Sequence, residues 1–282
     1  MRERVFSTII HNPRGICKYL VDTLPEKCYN ALIRGESPHS EVLMSDILCL
    51  DGAWRLYLAP HAKTRALPSL PVTAAALAAS GFTSLEGSVP GNFEIDMMRR
   101  GMLPDLYFGE NTLRAQRLEN LHLFYVRSFE WDGSDACLRF DGIDTVAEIY
   151  LNGEKIAETD NMFIPHTIPA HATRRGENEL CVHILPAAIA ARERELEPYA
   201  AVALAYNYGS LAVRKAAHMY GWDIFPRLVS GGLWKSVYVT SPKAEEIADL
   251  YLYTPRVSRE SAEICVYYRA RIVGDFSLDY SL

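Results

Sequence analysis

From Leu50 onward the apolar positions come in short runs of period two, separated by turn residues, which is the pattern of half-buried strands. Trp54-Arg55-Leu56-Tyr57-Leu58 alternates, His122 to Glu130 reads as a strand, and Leu138 and Phe140 point to one side of the next. The sharpest local signal is TVAEIYLNGEKIAE, residues 145–158. Ala147, Ile149 and Leu151 make one face, and Asn152-Gly153 is the two-residue turn whose backbone twist suits a hairpin. GENELCVHIL (176–185) adds a strand with Leu180, Val182 and Ile184 inward, and Ser236 to Thr240 adds another.

Helical texture is confined to the margins. Residues 1–45 read as a helical extension with runs at Ile16–Leu24 and Lys27–Ile33, where Pro25 suits the first turn of the second helix. Ser88-Val-Pro-Gly-Asn92 opens a short helix, Phe93 to Arg100, with Gly101 as its stop. Residues 187–220 are Ala-rich and largely helical in propensity, broken near Pro198 and Gly209. Many short strands with such insertions predict a mainly β protein built on a β-sandwich. Two more strands, Asp249–Tyr253 and Glu263–Val273, follow Pro242. A complete immunoglobulin-like sandwich needs about seven strands, so residues 242–282 read as the incomplete start of a second β-domain after a first spanning residues 46–241.

The net charge of −6 argues against a nucleic-acid partner, since phosphate binding calls for clustered basic surface. The apolar run Val5–Ile10 is too short for a signal peptide, and no segment has the length of a membrane span. The six cysteines, 17, 28, 49, 137, 181 and 265, show no metal-ligand spacing and read as reduced core residues of a cytoplasmic protein. His166 and His171 flank a Pro-containing loop and read as structural. No metal or cofactor is expected.

The motifs form an ordered series. Leu50-Asp-Gly-Ala-Trp-Arg-Leu-Tyr-Leu58 resembles the opening strand of the N-terminal jelly roll of family 2 glycoside hydrolases. Val89-Pro-Gly-Asn92 and Gly101-Met-Leu-Pro-Asp-Leu-Tyr-Phe-Gly-Glu-Asn111 resemble the segment that β-mannosidases of that family carry next. Phe124-Tyr-Val-Arg-Ser-Phe129 is similar to a strand of theirs, and Phe140 to Gly153 to their signature hairpin. Their closing motif is resembled by Arg214-Lys215, Gly221-Trp-Asp223, Pro226-Arg227 and Gly232-Leu-Trp234. Ile224-Phe225 stand where β-mannosidases typically carry a tryptophan and a glycine, which leaves a β-galactosidase or β-glucuronidase as alternatives. The resemblance covers residues 46–241 and implies a galactose-binding-domain-like jelly roll. It also implies a carbohydrate substrate and a catalytic barrel elsewhere in the same full-length polypeptide, with both catalytic glutamates outside this chain.

The carboxylates present agree with that last implication. Retaining glycosidases place two carboxyl groups about 5–5.5 Å apart, and in this clan the acid/base follows an asparagine. Asn178-Glu179 has that order, but sits in a polar turn and reads as solvated; Glu110-Asn111 and Glu119-Asn120 have the reverse order. No catalytic residue is expected in this chain.

A sugar offers C–H faces that an indole can cover and hydroxyls whose protons a carboxylate can accept. On residues alone, Asp223 pairs with Arg227 or Lys215 and Trp222 is core. Were residues 211–219 helical, Lys215 would lie in an apolar stripe and need a carboxylate. The resemblance reverses that order for Asp223, the aspartate that a jelly-roll loop of such enzymes extends into the active-site pocket, and leaves both readings of Trp222 open. Asn111 is a further sugar-binding candidate by the same resemblance, against a plain turn residue. A stand-alone carbohydrate-binding module, with an exposed aromatic platform, and a purely structural domain are the readings from other classes.

Overall fold

The computed structural model describes residues 2–11, 18–20, 47–132, 135–195, 209–242, 246–259 and 261–272. The chain divides into two units, residues 44–242 and residues 1–43 with 243–282. The larger runs β1 (Ile47–Cys49), β2 (Gly52–Pro60), α1 (His61–Arg65), α2 (Ala74–Ala79), β3 (Thr83–Val89), α3 (Phe93–Arg99), α4 (Thr112–Gln116) and β4 (Leu121–Trp131). It continues with β5 (Cys137–Phe140), β6 (Ala147–Leu151), β7 (Glu154–Thr159), β8 (His166–Pro169), β9 (Gly176–Ile184), α5 (Ala187–Arg192), α6 (Gly209–Ala212) and β10 (Val237–Thr240).

These strands make two antiparallel sheets, ordered β3-β2-β4-β9-β6-β7 and β8-β5-β10-β1. Period-two alternation sets which side chains meet between them. Leu56, Leu123, Ile149 and Val182 from the first sheet share one core with Leu138, Phe140 and Val239 from the second. The opposite face of the six-stranded sheet is also apolar at Tyr57, Phe124, Val126 and Cys181, and Leu77 of α2 packs there. The β6–β7 turn has Asn152 at φ 53° and Gly153 at φ 83°, the positive values a two-residue hairpin turn needs. Asn92 caps α3 by accepting from Ile95 N–H at 3.0 Å, and Gly101 follows it at φ 69°.

The smaller unit is a four-stranded antiparallel sheet ordered Glu246–Val257, Ala262–Ile272, Arg2–His11, Lys18–Leu20. Val266, Tyr268 and Ala270 are buried on one face of its second strand. This corrects the helical reading of the N-terminal segment. Arg2–His11 and Lys18–Leu20 are strands, and the β-branched residues Val5, Thr8, Ile9 and Ile10 favour the ladder that Ala262–Ile272 offers. Residues 12–17 and 21–45 of that reading lie outside the described residues.

Residues 187–220 are only partly helical, at α5, α6 and a 3-10 turn, Ala217–Tyr220, with residues 196–208 outside the described set. Residues 211–219 do not form one helix, so Lys215 is not part of a helical stripe. Of the cysteines, Cys181 and Cys265 are buried as expected, but Cys49 is exposed and Cys137 half-buried; Cys17 and Cys28 lie outside the described residues. Among the described residues no helix is long and apolar enough to cross a membrane.

Candidate functional site

Residues 213–236 have almost no regular structure, so their backbone groups must find partners outside a helix or sheet ladder. They find them in the sequence motifs. Gly91 N–H donates to Leu233 O at 2.8 Å and Phe93 N–H to Gly231 O at 3.1 Å. Asp144 and Gly232 exchange both backbone bonds, at 2.9 and 3.2 Å. A Cβ on Gly232 would stand 2.5 Å from Gly91 O, and one on Gly142 would stand 2.5 Å from the Trp234 indole nitrogen. The glycines therefore allow three loops, around residues 91, 142–144 and 231–234, to close on one another.

Beneath that seam lies a buried polar network. Lys215 Nζ, with its side chain fully buried, donates to Asp144 Oδ1 at 2.5 Å and to Ser230 O at 2.6 Å. The hydroxyl of Thr145 also donates to Asp144 Oδ1, and Ser230 Oγ donates to Glu94 Oε2 at 2.7 Å. Burial pushes the Glu94 carboxyl up to about 7, against the Ser230 hydrogen bond, which lowers it. Burial likewise lowers the Lys215 ammonium, opposed by the Asp144 charge.

From this base the chain rises as an irregular hairpin. Leu228 N–H donates to Met219 O at 2.9 Å; further out, Trp222 and Phe225 exchange backbone bonds at 3.1 and 3.3 Å. Asp223 and Ile224 form the apex. Tyr220 is buried at the root, whereas Trp222 is 70% exposed, Ile224 80% and Phe225 53%. Asp223 is exposed as well.

Both parts of the residue-only reading are thereby corrected. Lys215 pairs with Asp144 and Arg227 with Glu119, so neither holds Asp223, and Trp222 is not core. The Arg227 guanidinium grips Glu119 as a fork, Nε to Oε1 at 2.8 Å and Nη2 to Oε2 at 2.7 Å, and lies 5.3 Å from the Tyr220 ring centre. Gln116 Nε2 donates to Arg227 O at 3.1 Å.

Asn111 sits in the turn that opens α4, half-buried, with Nδ2 donating to Asp105 O at 2.8 Å. The segment that follows it supplies Gln116 and Glu119, so both motif segments with candidate sugar contacts are joined at Arg227. Tyr107 and Phe108, just before Asn111, are 83% and 75% exposed.

The sequence reading of Asn178-Glu179 as a solvated pair is corrected for Asn178, which is buried, while Glu179 is half-buried. Asn178 is 1% exposed and ties its turn together, with Nδ2 donating to Arg174 O and Oδ1 accepting from Asn152 Nδ2. Glu179 Oε1 accepts from Ala74 N–H at 3.0 Å, at the first residue of α2. Both are structural. Sequence reasoning missed Glu119, Asp144 and Glu94. A lysine among apolar residues signals that some carboxylate is needed, but Asp144 lies 71 positions away and no local pattern names it.

Residues 73–235 match the model of the family described as glycosyl hydrolase 2 galactose-binding domain-like. Beta-mannosidase B of Thermothelomyces thermophilus is 31% identical over 172 residues, 58% of this chain and 20% of that protein. Its counterpart in Emericella nidulans is 34% identical over the same length and shares. The solved beta-D-mannosidase of Dictyoglomus thermophilum superposes with a TM-score of 0.62 at 31% identity, over 78% of this chain and 25% of its own. The exo-chitosanase CsxA of Amycolatopsis orientalis, at 16% identity and a TM-score of 0.52, shares the fold. The chain thus spans about a fifth of the length of the curated relatives it matches.

Proposed function

The chain belongs to glycosyl hydrolase family 2, in its galactose-binding-domain-like region, and from that premise we propose that it is the sugar-contacting β-sandwich of a β-mannosidase-like exo-glycosidase. The whole polypeptide would hydrolyse terminal β-linked sugars from oligosaccharides or glycosides in the cytoplasm. Its catalytic carboxylates would lie in a barrel beyond residues 1–282, and the smaller unit would open an immunoglobulin-like domain on the way to it. The observation that carries this reading is the apex of the 219–228 hairpin. It holds an exposed carboxylate, Asp223, beside an exposed indole, Trp222, on a base fixed by one buried and one half-buried ion pair. The carboxylate would accept from two hydroxyls of the terminal sugar, remote from the bond that breaks, and the indole or Asn111 would bound the same ring. Contacts of this kind raise the rate where they tighten at the transition state.

The test begins with the reading frame beyond codon 282. The full polypeptide it encodes is expected to release p-nitrophenol from the β-D-mannopyranoside. Charge-assisted hydrogen bonds contribute about 1.5–3 kcal/mol each, so Asp223→Ala should lower kcat/KM by about a hundredfold or more with an unchanged melting temperature. Near-normal kinetics would refute the contact and favour a structural corner. Hydrolysis of a β-galactoside or β-glucuronide in place of the mannoside would move the specificity. Sugar affinity of residues 1–282 by themselves, in calorimetry, would favour a stand-alone binding module.

A further inference from the structure

We propose that Glu119 is a positioning residue for Asp223, a role that rests on reading Asp223 as a sugar ligand. The 219–228 hairpin is tied within itself by the Met219–Leu228 and Trp222–Phe225 backbone bonds, which fix its shape but not its tilt. Tilt is set where the hairpin touches the sandwich. On the rising side the buried Tyr220 roots it. On the returning side Arg227 is gripped twice from one segment, its guanidinium by Glu119 and its carbonyl by Gln116. Glu119 supplies both of its oxygens to the fork and is 12% exposed, against 24% for Arg227, so the pair is only partly open to water. A two-bond fork restrains rotation as well as distance, which a single-point contact cannot do.

The lever is long. Asp223 lies four residues from Arg227, at most about 14 Å of extended chain, so a tilt of about 5° at the base carries the apex by up to about 1 Å. A misplacement of about that size can cost up to a hundredfold in rate. Glu119 touches no substrate in this account. Its effect reaches the sugar only through the Asp223 carboxylate, and that restriction makes the role testable.

The experiment is a double-mutant cycle on the full polypeptide, with Glu119→Gln and Asp223→Ala. Glutamine keeps the size of Glu119 but turns an amide NH2 toward one arm of the guanidinium. The single variant Glu119→Gln is expected to lower kcat/KM about tenfold, in the same kinetic parameter that Asp223→Ala changes, and to cost nothing further in the Asp223→Ala background. Multiplicative effects would overturn the positioning role while leaving Asp223 a ligand. Wild-type kinetics for Glu119→Gln would overturn it too. If Asp223→Ala itself is silent, the sugar-ligand reading fails, whatever Glu119→Gln does. Amide exchange on the full polypeptide gives a readout independent of catalysis: Glu119→Gln should speed exchange at residues 222–225 without changing that of β4 or β9, and unchanged exchange would refute the anchor. Should Glu119→Gln express poorly, Arg227→Lys keeps the charge, loses the fork and carries the same expectations.

Discussion

Replacing Lys215 by methionine tests whether the buried ion pair holds the seam beneath the site. The Nζ–Oδ1 separation of 2.5 Å between groups at most 4% exposed corresponds to about 7 kcal/mol of attraction at an effective dielectric of about 20. Desolvation of the two ions offsets much of this in the intact pair. In Lys215→Met the Asp144 carboxylate stays buried without its cation and Ser230 O loses its donor, so the net cost should be about 3–5 kcal/mol. For a unit of this size each kcal/mol shifts the melting temperature by about 2–4 °C, which predicts a fall of about 10 °C. Tryptophans 54, 131, 222 and 234 all lie in the larger unit, so intrinsic fluorescence reports its melting. One further outcome is specific to the mechanism. Lys215→Met with Asp144→Leu should recover most of the loss. A cost under about 1 kcal/mol for Lys215→Met, or no recovery in the double variant, would refute the buried-pair account.

Two opposite pH dependences should be separable by mutation. Glu94 has its carboxyl raised by burial to about 7, so its contribution is fully favourable below the unfolded value near 4.5 and is lost as pH rises through 7. At about 1.4 kcal/mol per unit that is about 3 kcal/mol, and denaturant titrations of Glu94→Gln should show this loss abolished. His122 runs the other way. Burial first, then the charges of His183 and His61, lower it to about 3, with Glu148 opposing. The unfolded chain therefore binds the proton near pH 6.5 while the folded one does not, and stability falls as pH drops from 6.5 toward 3 at up to about 1.4 kcal/mol per unit. His122→Gln should flatten that acid limb, and an unchanged slope would show that His122, held between His61 (3.0 Å) and His183 (2.8 Å), is not the group responsible.

The strands were legible because period two is a local property. The 145–158 hairpin, the 176–185 strand and the buried pair Leu138 and Phe140 all follow from alternation and one Asn-Gly turn. The N-terminal strands were not legible, because Arg2–His11 is held by residues 262–272, some 260 positions away, and local propensity carries no information about that pairing. The site divides in the same way. Gly221-Trp222-Asp223 is visible as a motif, but whether its tryptophan is core or exposed depends on where Lys215 and Arg227 find their carboxylates. Those are Asp144 and Glu119, at separations of 71 and 108 residues. Glu119 in particular stands beside Asn120 in sequence, but its partner in the fold is Arg227.

Motif residues of this chain serve two ends that their spacing does not distinguish. Gly91, Gly142 and Gly232 are small because loops touch there, and Lys215, Asp144, Glu94 and Ser230 are polar because a stretch without a ladder must still satisfy its backbone and its buried charges. The side chains of Trp222 and Asp223 are exposed and make no hydrogen bond or ion pair within the described residues. An apolar replacement of the ion pair could hold a seam equally well, but it would leave an irregular loop free to slide, since apolar contacts are not directional. Directional contacts at Asp144, Ser230 and Glu119 fix the base of the hairpin, so that the exposed apex keeps a definite position without burying any of its own chemistry. Order in the base and exposure at the tip are therefore one arrangement, and a ligand that meets Asp223 meets a carboxylate whose placement the fold has already set.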